Sequence, residues 1–200
     1  MSDDPEPLIL GIDPGLKVSG VALLRRKELL EVDLVTLPPL GGVFASVRGT
    51  LMGVKILEWI DSMEFAPDIV VVEGQQIYKT GAANPGDILA LAHVSAAVAS
   101  GAHARGSFVA LPPPRKWKGN EPKGINQART AECLHIPYVF SRPDIPIRVT
   151  EWPPSCKRPR KLPSKHVKEI MDAAGLAIWG WRERKRICSD GGLACSLRPV

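Results

Sequence analysis

"LILGIDPGLKVSGVALL", residues 8–24, reads as two apolar strands folded back on each other around a Pro-Gly turn. The strands are read over 8–14 and 18–25, with Asp13 inside the first, directly before Pro14 and Gly15, and the apolar alternation resumes through Val18, Val21 and Leu23. A carboxylate in an apolar strand costs free energy unless something compensates its charge. Two kinds of partner are open to it. One is the neighbouring turn, whose backbone aspartates often bind; the other is a cation assembled by the rest of the chain.

Working outward, residues 29–36 read as a third strand, and "PPLGG" breaks the pattern. From about 44 to 64, Val47, Leu51, Val54, Leu57 and Ile60 recur at helical spacing. "PDIVVVEG" is a short, continuously apolar strand, the kind buried on both faces of a partly parallel sheet, and it ends in Glu73. "NPGDILALAHVSAAVASG" reads as an alanine-rich helix with proline at its start and glycine at its end. "GSFVALPPP" gives a fifth strand stopped by prolines, residues 125–134 a short helix, and 141–165 an extended loop rich in Pro, Lys and Arg. A last helix is predicted over about 164–184. Three antiparallel strands followed by alternating helices and strands predict the α/β class, with a mixed five-stranded sheet flanked by helices. The expected organisation is one domain over 1–185 and a loose tail over 186–200.

The net charge of +5 conceals a division. Residues 1–104 carry 7 Lys/Arg against 13 Asp/Glu, whereas residues 105–165 carry 13 against 4. A concentrated basic segment fits a polyanionic partner, because Lys and Arg gain affinity by releasing counterions from phosphates. No apolar run approaches the ~20 residues of a membrane helix. The opening "MSDDPEP" does not resemble a secretory signal, and the four cysteines form no CxxC pair. These features lead to the expectation of a cytoplasmic protein with no membrane partner.

Four acids stand out. Asp13 lies inside the first strand and Glu73 at the end of a later one, while Glu169 and Asp172 are three residues apart on the last helix and so share a face. "DAAGLA" surrounds Asp172 with small residues, which lets that helix lie close to a sheet. Brought together at one sheet edge, four carboxylates would repel each other. A hard divalent cation such as Mg²⁺ would resolve the repulsion, since it takes carboxylate, water and phosphate oxygens. Two such ions about 4 Å apart can activate a water and stabilise the leaving oxygen of a phosphodiester.

With these motifs in place, the sequence resembles the RuvC family of Holliday-junction endonucleases, within the RNase H-like superfamily. "GIDPGLKVSGVAL" resembles the family's first-strand motif, "VVVEGQQIY" the strand carrying the second acid, and "EIMDAAGLA" the last-helix motif with two acidic or histidine ligands. "LPPPRKWKG" followed by Lys123 resembles its proline- and lysine-rich stretch. The resemblance implies an RNase H-like fold and a homodimer that nicks a four-way DNA junction symmetrically with Mg²⁺ or Mn²⁺, using two ions per site. It makes Asp13, Glu73, Glu169 and Asp172 the catalytic metal ligands. Two departures are visible: Glu169 stands where the family more often has aspartate or histidine, and Gln76 where it tends to have an aromatic. Tyr78 is the nearest aromatic and, with Lys79, a candidate contact to the junction.

The basic candidates for DNA binding fall into two groups. Arg115, Lys116, Lys118 and Lys123 follow the fifth strand, and Lys157, Arg158, Arg160 and Lys161 precede the last helix. Trp117 reads as an anchor of its loop. Competing readings are a YqgF-like nuclease acting on RNA and a catalytically silent protein that binds branched DNA. A sugar-kinase or actin-like ATPase also begins with an aspartate-bearing strand, but needs two such domains.

Overall fold

In the computed structural model the described residues are 6–75, 84–157 and 166–189, with 193–194 described as a strand only. The chain runs β1 (Leu8–Asp13), β2 (Val18–Arg25), β3 (Glu28–Thr36), α1 (Ala45–Asp61), β4 (Ile69–Val72), α2 (Pro85–Ala104) and β5 (Phe108–Ala110). It continues through α3 (Pro114–Trp117), α4 (Lys123–Cys133), β6 (Tyr138–Val139), β7 (Arg148–Val149), α5 (Val167–Ser189) and β8 (Leu193–Ala194). The main sheet has the order β3-β2-β1-β4-β5-β8. β1 to β3 are antiparallel, while β4, β5 and β8 run parallel to β1. The five expected strands are all present, and the two-residue β8 extends the sheet at its edge.

Strand alternation divides the molecule into two layers. Leu10, Ile12, Val70 and Val72 face α1 and α2, packing on Met52, Ile56, Val94 and Val98. Ile9, Ala22, Leu24 and Val71 face the other way, onto Ile170, Ala173, Ala177 and neighbouring residues of α5. Because side chains alternate with period two, Asp13 belongs with Ile9 on the α5 side, and Glu73 with Ile69 and Val71. That parity aims both acids at the same helix.

The approach of α5 is set by missing side chains. A Cβ on Gly11 would run into the Ala173 carbonyl, and one on Gly20 into the carbonyl of Glu169. Gly20 is the residue paired with Asp13 across the β1–β2 ladder. Farther along, a Cβ on Gly180 would lie 2.5 Å from Val71 Cγ2. These contacts lay α5 directly across β1, β2 and β4, and they carry Glu169 and Asp172 to the edge where β1 and β4 end.

Several boundaries differ from the sequence reading. Pro114 opens the single turn α3, since proline suits the first helical position even though the run before it stops β5. The expected loop over 141–165 contributes β7, and the Lys157 backbone bonds to Leu30 and Val32 of β3. α5 continues past the expected tail boundary to Ser189, because Ile187 is fully buried and anchors its last turn. No helix among the described residues is long and apolar enough to cross a membrane.

Candidate active site

Each carboxylate arrives on an element held in place independently. β1 presents Asp13, and its turn is tied by Ser19, whose Oγ accepts from Gly15 N (3.0 Å) and donates to Gly15 O (3.2 Å). Ser19 therefore does what Asp13 was considered for, and no hydrogen bond from a described residue reaches the Asp13 carboxylate. Glu73 continues the parallel ladder with its N–H donating to Ile12 O (3.2 Å), and its carbonyl accepts from Ser95 Oγ on α2 (3.0 Å). Asp172 lies in the middle of the small-residue stretch of α5 and is 4 % exposed.

The side chains around them come largely from α3 and α4. Lys123 Nζ lies 2.6 Å from Asp172 Oδ2. Gln127, fully buried one turn later on α4, donates through Nε2 to Asp172 Oδ1 (2.8 Å) and to Lys168 O (3.1 Å). Glu73 Oε2 accepts from Trp117 Nε1 (2.9 Å) and from Lys118 Nζ (3.2 Å), and the Lys118 ammonium sits over the Trp117 ring at 4.9 Å.

Asp13, Asp172 and Glu73 lie close enough for their charges to act on one another. Burial pushes the Asp13 carboxyl well above its ordinary range, and the charges of Asp172 and then Glu73 push it further, against the opposing pull of Lys123 and Lys118. Burial also disfavours the Lys123 ammonium, but Asp172, Asp13 and Glu169 outweigh that and raise its pKa. Glu169 is the more peripheral acid. Its carboxylate lies 3.7 Å from His166 Nδ1 and 3.6 Å from Lys168 Nζ. Glu169 Oε2 and His166 Nδ1 are both buried without a hydrogen-bond partner.

These observations bear on metal binding. Among the described residues, no three acidic, histidine or cysteine groups stand together as a formed metal site. By donor chemistry, carboxylates are the groups that a hard divalent cation takes. Of these, Asp13 has no hydrogen-bonded counterpart among the described residues, and Glu169 keeps an orphaned buried oxygen.

Of the predicted basic residues, Lys118 and Lys123 are at the acids, and Arg115 and Lys116 are exposed on α3. Lys157 lies beside β3 and pairs with Glu64 (3.2 Å), away from the carboxylates. Tyr78, Lys79, Arg158, Arg160 and Lys161 lie outside the described residues. Sequence reasoning missed Gln127 and the bond from Trp117 to Glu73. The signal for Gln127 was an amide on the same helical face as Ala131 and one turn from Lys123, a polar residue at a core position.

No family model and no curated protein sequence matches the chain. Solved structures do. RuvC of Thermus thermophilus in complex with Holliday junction substrate superimposes with a TM-score of 0.58 and 17% identity, covering 90% of this chain and 96% of that one. The chain has the fold of RuvC. A second Thermus thermophilus RuvC structure aligns over the same shares with 19% identity and a TM-score of 0.58. The yeast mitochondrial Holliday junction resolvase Ydc2 aligns over 92% of this chain and 82% of its own, with 12% identity and a TM-score of 0.52. At these identities the likeness concerns the fold, and the site must argue its own chemistry.

Proposed function

We propose that this protein is a structure-selective DNA endonuclease that resolves four-way junctions by metal-dependent phosphodiester hydrolysis, acting as a homodimer. The observation that carries the reading is the approach of Asp13, Glu73 and Asp172 to one another, beside Lys118 and Lys123, at the edge where β1 and β4 end. Asp13, Glu73, Asp172 and Glu169 would hold Mg²⁺ or Mn²⁺, two ions per site. Bound there, the ions would supply an activated water and stabilisation of the leaving oxygen.

The chain's own residues prepare that chemistry. Gln127 fixes the rotamer of Asp172, and Trp117 fixes that of Glu73. Lys123 and Lys118 neutralise the acids in the absence of a cation and, once released, are placed to meet the phosphate. Arg115 and Lys116 extend positive charge along α3 toward the backbone of the same strand. The branched-DNA preference draws support from the fold shared with RuvC and Ydc2, whose structures are described as Holliday junction proteins.

The homodimer draws support from α1. Phe44, Val47, Leu51 and Val54 form one apolar row along it and remain exposed, Phe44 at 81%. Such a row on a surface helix supports an interface there. The functional test is a cleavage assay on labelled four-way junctions, forks, flaps, duplex DNA and RNA hairpins, with Mg²⁺, Mn²⁺ or EDTA. Paired nicks in the four-way junction that require a divalent ion are expected. Metal-dependent cleavage of RNA alone, or binding without cleavage, contradicts the proposal.

A further inference from the structure

Trp117 and Lys118 face two ways. Besides meeting Glu73, they form the near wall of a groove between α3, α4 and α5. The groove encloses about 140 Å³, some ten times the ~10–15 Å³ that one water needs. Its far wall carries Arg129 of α4 with Trp179 and Arg182 of α5, and among the described residues no carboxylate lines it. Gly175 forms part of the floor, where a Cβ would lie 2.8 Å from the Trp117 ring. Asn126 contributes a buried Nδ2 donor with no hydrogen-bond partner.

The groove runs outward from the acids. Asp172, Gly175, Trp179 and Arg182 follow one another at three- and four-residue spacing on one face of α5. Ten residues of helix span about 15 Å, which matches about four nucleotides at 3.4 Å each. Arg182 makes no ion pair with a described residue. Arg129 pairs with Glu121 at 3.1 Å in an exposed contact that a phosphate would replace at little cost.

We propose that this groove binds the DNA strand leaving the catalytic carboxylates, with phosphates on Arg129 and Arg182 and a base stacked on Trp179. The assignment rests on the nuclease reading and deepens it. Trp117 then links substrate to catalysis, since it touches both the groove and Glu73.

The test measures affinity of the full chain for a labelled four-way junction by fluorescence anisotropy, in EDTA, between 50 and 200 mM salt. Each lost phosphate contact lowers the log–log salt slope by about 0.9. R129Q/R182Q is therefore expected to lower it by about 1.8, so the wild type loses about 12-fold more affinity than the variant across that range. W179L is expected to bind about tenfold more weakly with an unchanged slope, because stacking carries no charge. K55Q/R105Q, on the opposite layer, is the control and should leave both quantities unchanged. An R129Q/R182Q slope equal to the wild type's, or an equal drop in the control, overturns the groove assignment alone. A wild type that binds no branched DNA overturns the nuclease reading and the groove with it.

Discussion

Replacing Asp13 by asparagine is expected to stabilise the metal-free protein while removing its chemistry. The carboxyl is raised first by burial, then by the charges of Asp172 and Glu73. A carboxyl with a raised folded-state pKa holds its proton more tightly in the folded chain, so its ionisation works against folding. The stability it contributes is fully present below the unfolded pKa of about 3.9 and is lost as pH rises through the raised folded value. An amide cannot ionise and escapes that loss at pH 7. Relief of this kind at a functional site is worth about 1–2 kcal/mol, and each kcal/mol moves the melting temperature of a chain this size by about 2–4 °C. Scanning calorimetry should therefore show Asp13→Asn melting above the wild type at pH 7, with the gap closing toward pH 4. Mg²⁺ should act in the opposite sense: at 10 mM, a site with Kd of about 1 mM gains about 1.4 kcal/mol in the wild type, and the variant gains less. A variant no more stable than the wild type at pH 7, or one whose advantage is the same at pH 4, refutes the buried-charge argument.

Three further outcomes follow from the same geometry. Gly20→Ala places a methyl against the Glu169 carbonyl and should cost about 3 kcal/mol in chemical denaturation, whereas an unchanged midpoint would mean that α5 does not lie on β2 as described. Trp117→Phe removes the bond to Glu73 along with part of the ring against Gly175, so single-turnover cleavage should slow about tenfold, and a rate equal to the wild type's would mean that Trp117 does not orient Glu73. Leu51→Glu with Val54→Glu puts charge on the exposed row of α1 and should convert a dimer to a monomer in sedimentation at micromolar concentration; a wild type that is already monomeric contradicts paired nicking.

The parts of this account that were legible in the sequence are those set by local pattern. Alternation in β1 and the apolar run of β4 place Asp13 and Glu73 at strand ends. The Ala-Ala-Gly stretch after Asp172 marks a helix able to approach a sheet, and Gly11 and Gly20 complete that approach. What the pattern did not carry were partners set by the crossing of distant elements. Trp117 meets Glu73 from 44 residues away, and Gln127 meets Asp172 from 45. Nothing local distinguishes a tryptophan that anchors a loop from one that orients an acid. The lysines were expected at a phosphate, yet Lys123 and Lys118 rest on the carboxylates themselves, as opposite charges brought together by the crossing of α3, α4 and α5. The last turn of α5, beyond about residue 184, was missed because its charged residues read as solvated tail, while the single residue Ile187 holds it to the core.

The most direct test of the central claim compares wild type and Asp13→Asn on one labelled four-way junction, measuring binding in EDTA and single-turnover cleavage after adding Mg²⁺. Equal binding, with paired nicks from the wild type and none from the variant, is the predicted result. Cleavage by Asp13→Asn at the wild-type rate, or no Mg²⁺-dependent cleavage by the wild type, would contradict it.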